Sequence, residues 1–206
     1  MTRLLYIQAS PRGERSASAH VAQAYIEAVK KKGSVEVDTI DVWNDELPPF
    51  NGPALDGKYA GLAGTPLTDE QTAAWAAIHS LGERFRKANQ IVVAVPMWNF
   101  GVPYKLKQLI DLVTQKDVTF LFGANGFDGM LKTQKAVLVC ARGLGYGEGG
   151  LPEAQFDYQN AYLKSWLTFL GITDIHTIKV EKTLLGDAER EASLAKGTAE
   201  AAALAA

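Results

Sequence analysis

The stretch Gln90-Ile91-Val92-Val93-Ala94-Val95-Pro96 decides the fold. Ile91 to Val95 run without a polar break. A strand with one wet face alternates apolar and polar residues. An unbroken run marks a strand buried on both faces, as in parallel sheets covered by helices on each side. The flanks supply such helices. Upstream, Thr68-Asp69-Glu70-Gln71 fits a capping box with Leu67 as its staple residue, and Trp75, Ile78, Leu81 and Phe85 form one helical stripe. Downstream, Pro103 starts a helix with Leu106, Leu109, Ile110 and Val113 inward.

The pattern repeats outward from this centre. Residues 3–8 and 34–41 read as two strands, the second alternating Val35, Val37 and Ile40. Residues 18–32 form a helix between them, with Val21, Tyr25, Ile26 and Val29 inward. Lys30, Lys31 and Lys32 suit its negative end, and Gly33 supplies a left-handed cap. Residues 135–141 and 174–180 read as the fourth and fifth strands, and residues 118–122 as a short extended piece. A helix over residues 153–170, ended by Gly171, joins the last two strands, and Asp187 caps an Ala-rich helix with a fraying tail. Residues 42–66, rich in Pro and Gly, read as a loop long enough to be a lid or a partner contact. The whole is one α/β domain over residues 1–206: a doubly wound, five-stranded parallel sheet with helices on both faces.

Composition removes several function classes. Net charge is −2, from 21 Lys+Arg against 23 Asp+Glu, which argues against nucleic-acid binding by bulk positive charge. A single cysteine, Cys140, excludes an internal disulfide and any multi-cysteine metal site. His20, His79 and His176 lie on separate elements without metal-ligand spacing. The longest apolar runs, residues 91–98 and 136–141, fall short of the ~20 residues that span a bilayer. Residues 4–7 are too few for a signal-peptide core, so the expectation is a cytoplasmic protein.

Open α/β sheets bind ligands beyond the carboxyl ends of their strands, where strand order reverses. In the order 2-1-3-4-5 that point lies between strands 1 and 3. Three loops are therefore candidates. The first, Ala9-Ser10-Pro11-Arg12-Gly13-Glu14-Arg15-Ser16-Ala17-Ser18, opens a helix with hydroxyls, arginines and free N–H groups, the parts of a phosphate site. Ser16 or Ser18 as a plain helix cap is an equal reading. The second, Pro96-Met97-Trp98-Asn99-Phe100-Gly101-Val102-Pro103, offers rings and an amide to a flat aromatic ligand, or simply core residues at the top of the sheet. The third, residues 142–150, is rich in glycine; its Gly-x-Gly-x-x-Gly match follows the fourth strand and opens no helix, so it is not a dinucleotide fingerprint.

Taken together the loops resemble the FMN-dependent NAD(P)H azoreductases of the flavodoxin-like quinone reductases. The matching stretches are Ser10-Pro11-Arg12 with Ser16-Ala17-Ser18, then Pro96-Met97-Trp98-Asn99-Phe100, then Ala141-Arg142-Gly143. Leu106-Lys107-Gln108-Leu109-Ile110-Asp111, Val118-Thr119-Phe120 and Phe169-Leu170-Gly171-Ile172 extend the likeness over the whole chain in order. The resemblance implies that Ser10, Ser16, Ala17 and Ser18 hold the FMN phosphate, with Arg12 as charge partner. Met97, Trp98, Asn99 and Phe100 would line the isoalloxazine, and Ala141, Arg142, Gly143 and Leu144 its pyrimidine end. It further implies a homodimer in which Phe120, Phe122 and residues 42–66 surround the open flavin face. NADH or NADPH would reduce the flavin at N5, and a quinone or azo dye would take the hydride back, in ping-pong order. No protein nucleophile, metal, nucleic acid or membrane is implied. Phe122 replaces a tyrosine frequent near the hairpin tip, and Ala141 and Leu144 depart from the Ser and Gly-Gly often seen in the third loop. The other reading is an electron-carrying flavodoxin, which is usually shorter and more acidic. A tyrosine phosphatase would need a cysteine in the first loop, which has none.

Overall fold

The computed structural model describes residues 1–124 and 126–205. Strand β1 (Thr2–Gln8) leads through a 3-10 turn (Gly13–Arg15) into α1 (Ala17–Lys30), followed by β2 (Val35–Asp41). Then come α2 (Gly52–Ala63), α3 (Asp69–Lys87), β3 (Gln90–Pro96) and α4 (Tyr104–Val113). A hairpin, β4 (Phe120–Gly123) and β5 (Gly126–Gly129), precedes β6 (Lys135–Ala141). The chain ends with α5 (Glu153–Phe156), α6 (Tyr158–Phe169), β7 (Asp174–Val180) and α7 (Asp187–Leu204).

The main sheet is parallel in the order β2-β1-β3-β6-β7, the 2-1-3-4-5 order expected from the alternation. The side-chain period of two splits β3 between two cores. Ile91, Val93 and Val95 face α3, α4 and α6, while Val92 and Ala94 face α1 and α7. All five are fully buried. At roughly 1.5–3 kcal/mol per buried aliphatic side chain, this strand anchors both layers.

Five local expectations need correction. Residues 42–66 are not all loop, because α2 occupies half of them. Its apolar residues are spread around the axis, and its glycines read as loop signals. Gly57 is required instead by packing: a Cβ there would lie 2.6 Å from Trp75 Nε1 of α3, whose indole donates to the Ala54 carbonyl at 3.0 Å. The helix expected over residues 153–170 breaks at Asp157, whose side chain caps α6 by accepting from the Asn160 N–H at 2.9 Å. Gly33 is not left-handed; α1 ends at Lys31 in the right-handed region. Asp187 is the first residue of α7 and not its cap, which is Gly186. The Ala-rich tail is held as far as Leu204, because the small residues Gly197 and Ala201 let α7 pack against α1. The capping box of α3 forms as expected, with both Thr68–Gln71 bonds present. No helix among the described residues is long and apolar enough to cross a membrane.

Candidate functional site

The strand order reverses between β1 and β3, and there the three loops meet. They enclose a cavity of about 210 Å³ lined by Ser10, Arg12, Ser16, Ala17, Ser18, Pro96, Met97, Trp98, Ala141, Arg142 and Gly143, with Thr183 and Leu184 as a further wall. A groove of about 550 Å³ near Arg3 and Lys87 is different in kind: its Arg3–Glu36 and Arg84–Asp38 pairs neutralise one another.

In the first loop Ser16 caps the helix and also lines the cavity. Ser16 is the N-cap of α1, and its Oγ accepts from the Ala19 N–H at 3.2 Å. The same Oγ lies 3.2 Å from Ser18 Oγ. Ser10, Ser16 and Ser18 are all nearly sealed from solvent yet line the cavity. Ser10 Oγ accepts from the Arg12 N–H at 3.4 Å. The N–H groups of Ala17 and Ser18, at the positive end of α1, donate to no described residue. Such unspent donors at a helix N-terminus favour an anion. Arg12 is exposed on the rim and makes no ion pair among the described residues.

The second loop begins with the Met97 N–H donating to the Ala141 carbonyl at 2.7 Å. Trp98 and Gly101 then exchange backbone bonds of 3.1 and 2.9 Å around Asn99 and Phe100. Both central residues have positive φ, 46° and 69°. That geometry matches the mirror-image hairpin turn, which asparagine tolerates and a bulky ring does not. A phenylalanine held there stores strain of order 1–3 kcal/mol, a feature that clusters at ligand sites. The Trp98 ring packs on Trp43 and Tyr104, and Phe100 on Phe156. Asn99 does not line the small cavity. It faces an adjoining open cavity of about 880 Å³, which shares Trp98 and includes Phe50, Tyr104, Tyr158 and Tyr162.

The third loop turns its arginine into the protein. The Arg142 side chain is buried, with carboxylates at 3.0 Å (Asp157), 3.2 Å (Glu181) and 3.5 Å (Glu153). The Tyr146 ring covers its guanidinium at 4.3 Å, and the Tyr146 hydroxyl donates to Met97 Sδ at 3.0 Å. The Arg142 backbone is spent as well: its N–H donates to the Val180 carbonyl at 2.9 Å, and its carbonyl accepts from the Thr183 N–H at 3.2 Å. Leu184 sits over Gly143: a Cβ there would lie 2.5 Å from Leu184 Cδ1 and would push that exposed side chain aside. Leu144 is exposed beside the small cavity and does not line it. The glycines beyond form no cradle, because the Gly147 N–H donates to the Leu151 carbonyl and the Leu151 N–H to the Gly145 carbonyl, closing the loop on itself. Phe120 and Phe122 lie on the hairpin in a ring cluster with Phe127 and Phe169, and line neither cavity of this chain. Cys140 is fully buried, and burial pushes its thiol up to about 12, leaving it inert.

Three contributors escape a reading of the sequence. Thr183 and Leu184 follow β7, a strand that the 2-1-3-4-5 order places two positions from the switch point. Trp43 sits just past β2; its Nε1 donates to the Ala9 carbonyl at 3.0 Å, and its ring supports Trp98 with centroids 5.4 Å apart. Only a tryptophan in a Pro/Gly-rich stretch signals it.

A model of the flavodoxin-like fold matches residues 2–205. An FMN-dependent NADH:quinone oxidoreductase of Pseudomonas syringae pv. tomato is 48% identical over 98% of this chain and 97% of its own length. One from Burkholderia lata is 45% identical over 90% of each chain. Among solved structures, an azoreductase from Bacillus anthracis superposes with a TM-score of 0.88 at 28% identity, covering 100% of this chain and 99% of that one. An FMN-dependent NADH-azoreductase from the same species, solved with FMN, gives 0.86 at 25% identity with full coverage of both chains. The cavity at the strand reversal, the match over nearly the whole chain and these relatives agree: this chain belongs to the flavodoxin-like fold family, beside relatives named as FMN-dependent NADH:quinone oxidoreductases.

Proposed function

We propose that this protein is an FMN-dependent NADH:quinone oxidoreductase that also cleaves aromatic azo compounds reductively. One observation carries the reading. A serine-lined helix N-terminus with unspent N–H donors shares a cavity with the strand end that leads into a strained, aromatic-flanked turn. The residues fit FMN at both ends. Ser10, Ser16, Ser18 and the Ala17 and Ser18 N–H groups suit its phosphate, with Arg12 on the rim for charge. Met97, Trp98, Asn99 and Phe100 suit the ring system, and the loop Ala141-Arg142-Gly143-Leu144 its pyrimidine end, through the unspent N–H groups of Gly143 and Leu144. Bound FMN would supply two-electron transfer between a nicotinamide and an acceptor, chemistry the side chains here lack.

The chain's own work is binding and positioning. The α1 dipole and serine hydroxyls hold the anionic end. The turn at Asn99-Phe100 projects its backbone N–H groups, which donate to no described residue, as edge donors. Trp43, hydrogen-bonded to Ala9, keeps Trp98 fixed between the phosphate and ring loops. The open cavity beside Trp98, walled by Tyr104, Tyr158 and Phe50, offers flat apolar surface to donor and acceptor in turn, consistent with ping-pong order. The exposed rings of Phe122 and Phe127 suit a homodimer in which Phe120 and Phe122 cover the partner's ring site. Purified protein is expected to be yellow and to release FMN on heating. It should oxidise NADH steadily with menadione and with methyl red. Colourless protein that binds no added FMN refutes the proposal, and flavin binding without turnover makes it an electron carrier.

A further inference from the structure

The segment Glu181–Gly186, after β7, has a role that neither its composition nor the relatives' names assign. Its backbone lies along the third loop and takes up three carbonyls in a row. The Thr183 N–H donates to the Arg142 carbonyl at 3.2 Å, the Leu184 N–H to Gly143 at 3.2 Å, and the Lys182 N–H to Leu144 at 3.3 Å. The Thr183 hydroxyl adds a second bond to the Arg142 carbonyl at 3.1 Å. The segment is itself tied down: the Glu181 N–H donates to Ser193 Oγ of α7 at 2.9 Å, and the Glu181 carboxylate pairs with Arg142 at 3.2 Å. Lys182 and Gly186, near its ends, have φ of 58° and 109°. A lysine held left-handed is strained and persists only where its surroundings over-determine it.

The consequence follows from peptide geometry. In a planar trans peptide the carbonyl of one residue and the N–H of the next point in opposite directions. Holding the Arg142 and Gly143 carbonyls on the strap therefore directs the Gly143 and Leu144 N–H groups away from it. Neither N–H donates to a described residue. The two segments lie close at this point: a Cβ at Gly143 would press on the Leu184 side chain, 2.5 Å away at Cδ1.

We propose that the Glu181–Gly186 strap is the positioning element of the cofactor loop, and that Thr183 is its positioning residue, aiming the Gly143 and Leu144 N–H pair at the electron-accepting end of the bound ring. This rests on the FMN reading above. Two N–H dipoles held toward a ring that gains negative charge on reduction favour the reduced form.

The test uses the full chain stripped of FMN, with Thr183→Val and Thr183→Ser. Valine keeps the shape and the backbone donor and loses the hydroxyl bond. FMN affinity, read by quenching of flavin fluorescence, should fall about two- to tenfold in Thr183→Val, the range expected for one hydrogen bond. The midpoint potential of bound FMN should become more negative, and Thr183→Ser should restore both. Wild-type affinity and potential in Thr183→Val overturn the strap while leaving the FMN reading intact. Serine no better than valine, with a matching loss of apoprotein melting temperature, makes Thr183 merely structural and also overturns it. Wild-type protein that binds no FMN overturns both readings together.

Discussion

Ser16 has two duties that one substitution separates. As N-cap it accepts from Ala19 N–H, and as cavity wall it lies 3% exposed beside Ser18. Ser16→Ala should cost the apoprotein about 1 kcal/mol through loss of the cap. Ser16→Asp should cost it no more than Ser16→Ala, since aspartate caps as well as serine and its charge at the helix N-terminus offsets the desolvation of a carboxylate at a position 3% exposed. The bound state reverses this order. A carboxylate about 4 Å from a phosphate carrying nearly two charges is opposed by about 2 kcal/mol even at the dielectric of water. That corresponds to at least a roughly 30-fold loss of FMN affinity, and more in a site as closed as this one. Riboflavin lacks the phosphate and serves as the control. The assay is fluorescence titration of wild type and Ser16→Asp with FMN and riboflavin, beside thermal melts of the apoproteins. The expected result is melting no lower than that of Ser16→Ala and riboflavin affinity kept, with collapsed FMN affinity. Wild-type FMN affinity, or an equal loss for riboflavin, refutes the placement of the phosphate at α1.

Other consequences are simpler. Trp43→Phe removes the bond to the Ala9 carbonyl and weakens the support of Trp98, so urea unfolding should show a loss of about 1–2 kcal/mol at unchanged slope; a loss below a few tenths would remove Trp43 as a buttress. Cys140 should react with a thiol reagent at pH 8 only as fast as the chain unfolds, because burial holds its thiol near 12; prompt labelling of native protein would contradict this. Hydrogen bonding to Lys179 holds the Glu153 carboxyl below its ordinary value of 4.5. A depressed carboxyl contributes stability above that ordinary value and loses it as pH falls through the folded one. Glu153→Gln should therefore flatten the acid limb of a stability-against-pH curve below about pH 4.5, modestly, because the side chain is 40% exposed; an unchanged acid limb would deny the pair any role.

The fold was legible wherever burial was two-sided or a cap was local. The run Ile91–Val95 could only be a central parallel strand, and Thr68 with Gln71 announced the start of α3. The α2 helix was not legible, because its sequence is Gly-Pro-Ala-Leu-Asp-Gly-Lys-Tyr-Ala-Gly-Leu-Ala and its stability comes from packing on Trp75. The break at Asp157 hid inside a pattern that reads as one helix, since a carboxylate shared with Arg142 is a contact across the chain.

By itself the sequence determined the order of elements, the three loops at the strand ends and the residue types an anionic, aromatic ligand would need. Those are properties of periodicity and of short segments, which neighbours in the chain control. Tertiary structure decided which groups of each residue are offered. It turned the Arg142 side chain into a buried carboxylate cluster, away from the ligand role its place in the loop suggests. It made Ser16 both cap and wall, and set Thr183 and Leu184 against a loop some forty residues earlier. The reason is that a side chain's partners are chosen by proximity in space, while a sequence pattern reports only proximity along the chain.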